Sequence, residues 1–184
     1  MEPLFTPLLE RIAAALATAD VRYMVIGGQA VLHYGQSRLT EDIDITLGLG
    51  IDDWRRADVL LRNAGFVPRV ADYETIAVEG SILLLADRAT SIRVDAALSG
   101  SLFEKSAFAR VIYQRLGGTD VAFVSPEDLV IQKIVAGRER DHDDVRRLLR
   151  KQKSLDLAHI ERWLRDFGNA LDRDLMVEFK RLTP

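Results

Sequence analysis

The sequence predicts a mixed α/β (α+β) fold, with a β-sheet domain flanked by helices over residues 1–124 and a C-terminal helical region over 125–184 packed on it. Two patterns and one composition figure carry this prediction. Up to residue 124, segments with apolar residues at strand period alternate with segments at helical spacing, whereas after Ser125 only helical spacing remains. With 184 residues and 48% hydrophobic content, the chain can bury one sizeable core but is cramped for two full domains. It holds no repeat and no low-complexity linker.

Leu4, Leu8, Ile12, Ala15 and Leu16 recur at helical spacing, so the first twenty residues form an amphipathic helix. A strand follows over 22–26, then a short helix over about 29–34, a turn at Gly35 and a strand through Asp42 and Asp44. A second helix covers 52–63 and stops at Gly65. Three strands are expected over 75–78, 82–85 and 92–96, with Gly80-Ser81 turning between the first two. Segments 111–115 and 121–124 flank Gly117-Gly118 as a hairpin. Ser125-Pro126-Glu127-Asp128 supplies a capping hydroxyl, a proline at the first helical position and an acid at the third, so a helix starts there. Breaks in the helical region are expected near Gly137, Ser154 and Gly168.

A net charge of −3 creates no global field for polyanions, so any such site must come from local clustering. The absence of cysteine excludes disulfides and cysteine-based zinc sites. The longest strongly apolar run, 82–86, is too short to cross a bilayer, and Met1-Glu2-Pro3 begins no basic-then-apolar leader. A soluble, cytoplasmic protein with no membrane partner is the expectation.

The chemistry concentrates in Asp42 and Asp44. They lie one residue apart among Ile43, Ile45 and Leu47, so both acids leave one strand face while the apolar residues pack inward. Like charges so crowded favour a hard cation such as Mg2+ (or Mn2+), which takes carboxylate and phosphate oxygens. Upstream, Val25-Ile26-Gly27-Gly28 reads as a buried strand entering a helix start, where backbone N–H groups favour phosphate. Asp95, opposite Ile92, Val94 and Ala96 on its strand, is the candidate third acid, as metal ligand or as base for an incoming hydroxyl. Its competing reading is an ion pair with a nearby arginine. For Lys133 the competitor is a lysine whose ammonium reaches water. For 138–147 it is surface pairing of Arg140 with Asp144 and of Asp143 with Arg147. The run 146–153 holds five cations and no acid, and fits a solvated helix face better than a phosphate backbone. His33, His142 and His159 lack metal-ligand spacing, and Trp54 and Trp163 read as core or interface residues.

A glycine pair, a short helix, an Asp-x-Asp strand thirteen residues after Gly28 and a later strand aspartate resemble the DNA polymerase β-like nucleotidyltransferases. More narrowly, Arg38-Leu39-Thr40-Glu41-Asp42-Ile43-Asp44, followed by Lys133 and Arg138-Glu139-Arg140-Asp141-His142-Asp143-Asp144, resembles the AbiEii-type abortive-infection (type IV) toxins and their small relatives. The likeness covers roughly residues 20–150. It implies that Asp42 and Asp44 hold metal, that Gly27 and Gly28 lie under a triphosphate, and that Lys133 with Asp141 or Asp144 completes the site. Many relatives carry a serine after the first glycine. Gly28 offers only its backbone there, with Gln29 as the compensating candidate. One helix continued through Gly137 would bring Lys133, Asp141 and Asp144 within about 80° of one another.

The expected function is metal-dependent transfer of a nucleoside monophosphate from a nucleoside triphosphate to an acceptor hydroxyl. Asp42, Asp44 and Asp95 serve metal and nucleophile, Gly27, Gly28 and Gln29 meet the nucleotide, and Arg38 and Lys133 offset its charge. The acceptor is open among a tRNA or other RNA end, a protein side chain and a small molecule such as an antibiotic. A toxin–antitoxin role with a cognate protein partner follows from the likeness. A catalytically silent nucleotide-binding or partner-binding module is the alternative from another class.

Overall fold

A computed structural model describes residues 4–34 and 40–183. The chain runs α1 (Thr6–Thr18), β1 (Tyr23–Val25), α2 (Gly27–His33), β2 (Asp42–Leu47), a 3-10 turn (Ile51–Asp53), α3 (Trp54–Asn63), β3 (Phe66–Pro68), α4 (Tyr73–Gly80), β4 (Ile82–Asp87), β5 (Arg93–Leu98) and α5 (Leu102–Phe108). It continues through β6 (Ile112–Leu116), β7 (Thr119–Phe123), α6 (Pro126–Ala136), α7 (Glu139–Lys151), α8 (Leu157–Leu171) and α9 (Leu175–Leu182). The strands form one mixed sheet in the order β3-β4-β5-β2-β1-β7-β6. β2 runs parallel to β5 and antiparallel to β1. Among the described residues no helix is long and apolar enough to cross a membrane.

Strand alternation at β2 works as its sequence dictates. Ile43, Ile45 and Leu47 are fully buried, each contributing roughly 1.5–3 kcal/mol, while Asp42 and Asp44 keep partial access to solvent. At α6 the Ser125 side chain accepts the Asp128 N–H at 3.1 Å, with Pro126 opening the helix. The change from sheet to helices falls there, and buried residues of both segments, such as Ile45 and Ile134, belong to one core.

Four expectations are corrected. The strand expected over 75–78 is part of α4, whose buried Tyr73 and Ala77 stand one helical turn apart, and left-handed Ser81 ends it. Edge strand β3 and helix α5 were not expected. The second carried a readable signal, because Ser101 and Glu104 make a capping box with reciprocal contacts of 3.2 and 2.8 Å. Finally, α8 runs through Gly168 and ends at left-handed Asp172, and Gly168 instead makes room for the Arg173 carbonyl, which lies 2.7 Å from where its Cβ would stand. The turn expected at Gly35 lies outside the described residues.

Candidate active site

The parallel register of β2 and β5 sets Asp44 beside Asp95 and Asp42 beside Arg93. Cross-strand neighbours face the same side of a sheet, so the three acids share a face. They line a cleft of about 920 Å³ together with Gly27, Gly28, Lys133 and Arg138.

Asp44 sits deepest. Burial pushes its carboxyl above the usual carboxylate range, and the Asp42 and Asp95 charges push the same way. The Gly28 N–H and the Lys133 charge act against that rise. Gly27 is required beside it. Its φ is +61°, and a Cβ would stand 2.0 Å from Asp44 Oδ2.

A side chain at Gly28, such as the serine that the family resemblance leads one to expect, meets a steric obstacle absent from the local sequence. A Cβ there would lie 2.5 Å from Thr40 Oγ1, which donates to Asp42 Oδ1 at 3.1 Å. Thr40 therefore fills that space. Gln29, the expected substitute, is fully buried outside the cleft lining, and its Nε2 donates to the Asp42 carbonyl at 3.2 Å. It supports β2 from beneath. We predict that Gly28→Ser lowers the melting temperature and that adding Thr40→Ala restores it, a coupling of about 1–2 kcal/mol readable by thermal denaturation. Additive effects would remove Thr40 from this account.

The Lys133 ammonium lies 2.7 Å from Asp141 Oδ1 and 3.0 Å from Asp144 Oδ2. Only 4% of Lys133 is exposed, so the water-reaching alternative is overturned. The convergence does not come from one continuous helix. Left-handed Gly137 breaks the chain between α6 and α7, and docking of the two helices brings the lysine to the acids. Burial alone would raise the Asp141 carboxyl, yet hydrogen bonds from Arg138 and Lys133 outweigh it and hold the carboxyl low. Asp144 meets Lys133 rather than joining the surface pair expected with Arg140, and Asp143 pairs with Arg146 at 2.8 Å. Arg140 lines the cleft. Arg38 lies outside the described residues.

The arginine pairing that competes for Asp95 is present, although the sequence did not single out which arginine makes it. Arg69 donates to Asp95 Oδ1 at 2.7 Å, and Arg93 lies 3.5 Å from Asp42 Oδ2. Among the described residues, no three acidic or histidine side chains gather closely enough to enclose a metal ion by themselves. The donor chemistry still fits Mg2+, which is commonly held by one or two carboxylates together with substrate phosphates.

This sheet with its cleft is the nucleotidyltransferase fold. An antigenic nucleotidyltransferase-like protein from Paracoccidioides brasiliensis superposes with a TM-score of 0.60 at 15% identity, over 96% of this chain and 92% of that one. The antibiotic-resistance factor ANT(2'')-Ia gives 0.52 at 17% identity over 98% and 92%. The lincosamide antibiotic adenylyltransferase LnuA gives 0.52 at 19% over 79% and 93%. At these identities the likeness concerns the fold. No curated protein sequence matches the chain. The chain belongs to the AbiEii nucleotidyltransferase family, described as "Nucleotidyl transferase AbiEii toxin, Type IV TA system", which matches residues 8–181. The match extends well beyond the residues that first carried the resemblance.

Proposed function

We propose that the protein transfers a nucleoside monophosphate from a nucleoside triphosphate to a hydroxyl of an RNA end or a protein, as the toxin of a toxin–antitoxin pair. The observation that carries this reading is the Asp44–Asp95 register, which sets three carboxylates in one cleft with Gly27-Gly28 and Lys133. Asp42 and Asp44, joined by Asp95, would hold a divalent cation, Mg2+ or Mn2+, whose charge offsets that of the phosphates. Gly27 and Gly28, which line the cleft at the start of α2, would meet the triphosphate through backbone N–H groups. The acceptor oxygen forms a bond to the α-phosphorus, the bond to pyrophosphate breaks, and Asp95 takes the acceptor proton. Lys133 and Arg138 supply positive charge to the cleft.

An RNA end or a protein is preferred to a small antibiotic as acceptor because the AbiEii toxin family matches residues 8–181. A silent nucleotide-binding module is the second reading, supported by the closed ion pairs of Lys133 and Asp95. The test offers α-labelled triphosphate with Mg2+ or Mn2+ to tRNA, to a protein mixture and to lincosamide or aminoglycoside antibiotics. Label in tRNA or protein, with pyrophosphate release, is expected. Stabilisation by the nucleotide, roughly 2.7 kcal/mol at a hundredfold excess over its Kd, without label in any acceptor would establish the silent module instead.

A further inference from the structure

Arg69 lies in no motif and outside the residues that line the cleft, yet it holds one of the three acids. Its position is built by sheet register. The Arg69 N–H donates to the Leu84 carbonyl at 3.1 Å, extending the β3–β4 ladder by one residue. Leu84 stands beside Asp95, and Asp95 beside Asp44. Arg69, Leu84, Asp95 and Asp44 thus form one row across four neighbouring chain segments. Arg69 spans about two strand spacings, roughly 10 Å, to reach the carboxylate over Leu84.

The Arg69 and Asp95 side chains are only 25% and 24% exposed, so water screens this pair less than a surface pair. The guanidinium holds Asp95 Oδ1 and offsets negative charge that would otherwise draw a cation to the acids. Without it, the Asp95 charge would bear fully on Asp44, its cross-strand neighbour.

We infer that Arg69 is the resident counter-cation of Asp95, so that a divalent cation must compete with the guanidinium for that carboxylate. This rests on the reading of Asp42, Asp44 and Asp95 as a cation-binding set. Arg69 is a positioning residue, since it acts through Asp95. Its effect is to keep the nucleotide-free protein a weak binder of divalent cations. An arriving triphosphate brings further oxygen ligands and offers the displaced guanidinium an anionic partner.

The test is direct Mn2+ titration, followed by electron paramagnetic resonance, of the full chain without nucleotide. Arg69→Ala and Arg69→Gln should each bind Mn2+ about tenfold or more tightly than wild type. In an Asp95→Asn background, Arg69→Ala should gain no more than about twofold, because the effect runs through that carboxylate. Binding by Arg69→Ala equal to or weaker than wild type would overturn the inference, as would an equal gain in the Asp95→Asn background. The underlying reading has its own control. If Asp42→Asn and Asp44→Asn leave Mn2+ binding in the Arg69→Ala protein unchanged, the cation site itself is wrong. If they abolish it, the site stands whatever Arg69 does.

Discussion

Asp44→Asn will lower nucleotidyl transfer by about 10³-fold or more and raise the melting temperature of the nucleotide-free protein. Both effects have one cause. Burial, Asp42 and Asp95 all work against the charge on this carboxyl, so the ionised group weakens the empty fold, whereas in the proposed reaction it would help hold the cation. The sign follows from linkage. A carboxyl whose folded pKa is raised binds its proton more tightly in the folded state. Its contribution to stability is fully present below the ordinary 3.8 and is lost as pH rises through the folded value. Asparagine is neutral throughout, so the variant's advantage should appear near neutral pH and shrink as pH falls toward that window. Melting curves across pH, with labelled transfer measured beside them, read both effects. Wild-type transfer by Asp44→Asn would remove the acid from the chemistry. An unchanged melting temperature at pH 7 would mean that its charge is already neutralised in the empty protein.

Lys133→Ala will destabilise the protein by about 3 kcal/mol or more, because it removes a buried ammonium from between two buried carboxylates. For a chain of this length, that is a fall in melting temperature of roughly 6–12 °C. A lysine whose ammonium reached water would leave stability unchanged. Asp141 adds a pH signature. Its folded pKa is lowered, so the stability that it contributes is present above the ordinary 3.8 and lost as pH falls through the lower folded value. Without Lys133, acid unfolding should begin at higher pH. Transfer should fall by about 10², and adding Asp144→Asn should recover part of the stability without the activity. Recovery of transfer in that double variant would reduce Lys133 to a structural counter-ion for the two acids.

Several features were legible because they depend on neighbours along the chain. Alternation through Ile43, Ile45 and Leu47 decides which way Asp42 and Asp44 point, and Ser125-Pro126 marks where helix α6 begins. The capping box of α5 was equally local and equally readable. Segment 75–78 was harder, since a short apolar run suits strand or helix, and only packing of Tyr73 and Ala77 against the core decides between them. The family likeness also rests on local spacing, from Gly27-Gly28 through Asp42-x-Asp44 to the Lys133 and Asp141 segment.

The sequence by itself therefore determined the sheet-then-helices order, the strand carrying the acids and the family. The tertiary structure alone decided the partners of the charged groups. Asp95 meets Arg69 across 26 residues, Lys133 meets Asp141 and Asp144 across a helix break, and Thr40 fills the space above Gly28. The physical reason is that a side chain's direction follows from backbone sterics within a few residues, whereas its partner is set by strand register and helix docking. Those settle only when the core closes, and no spacing along the chain encodes them.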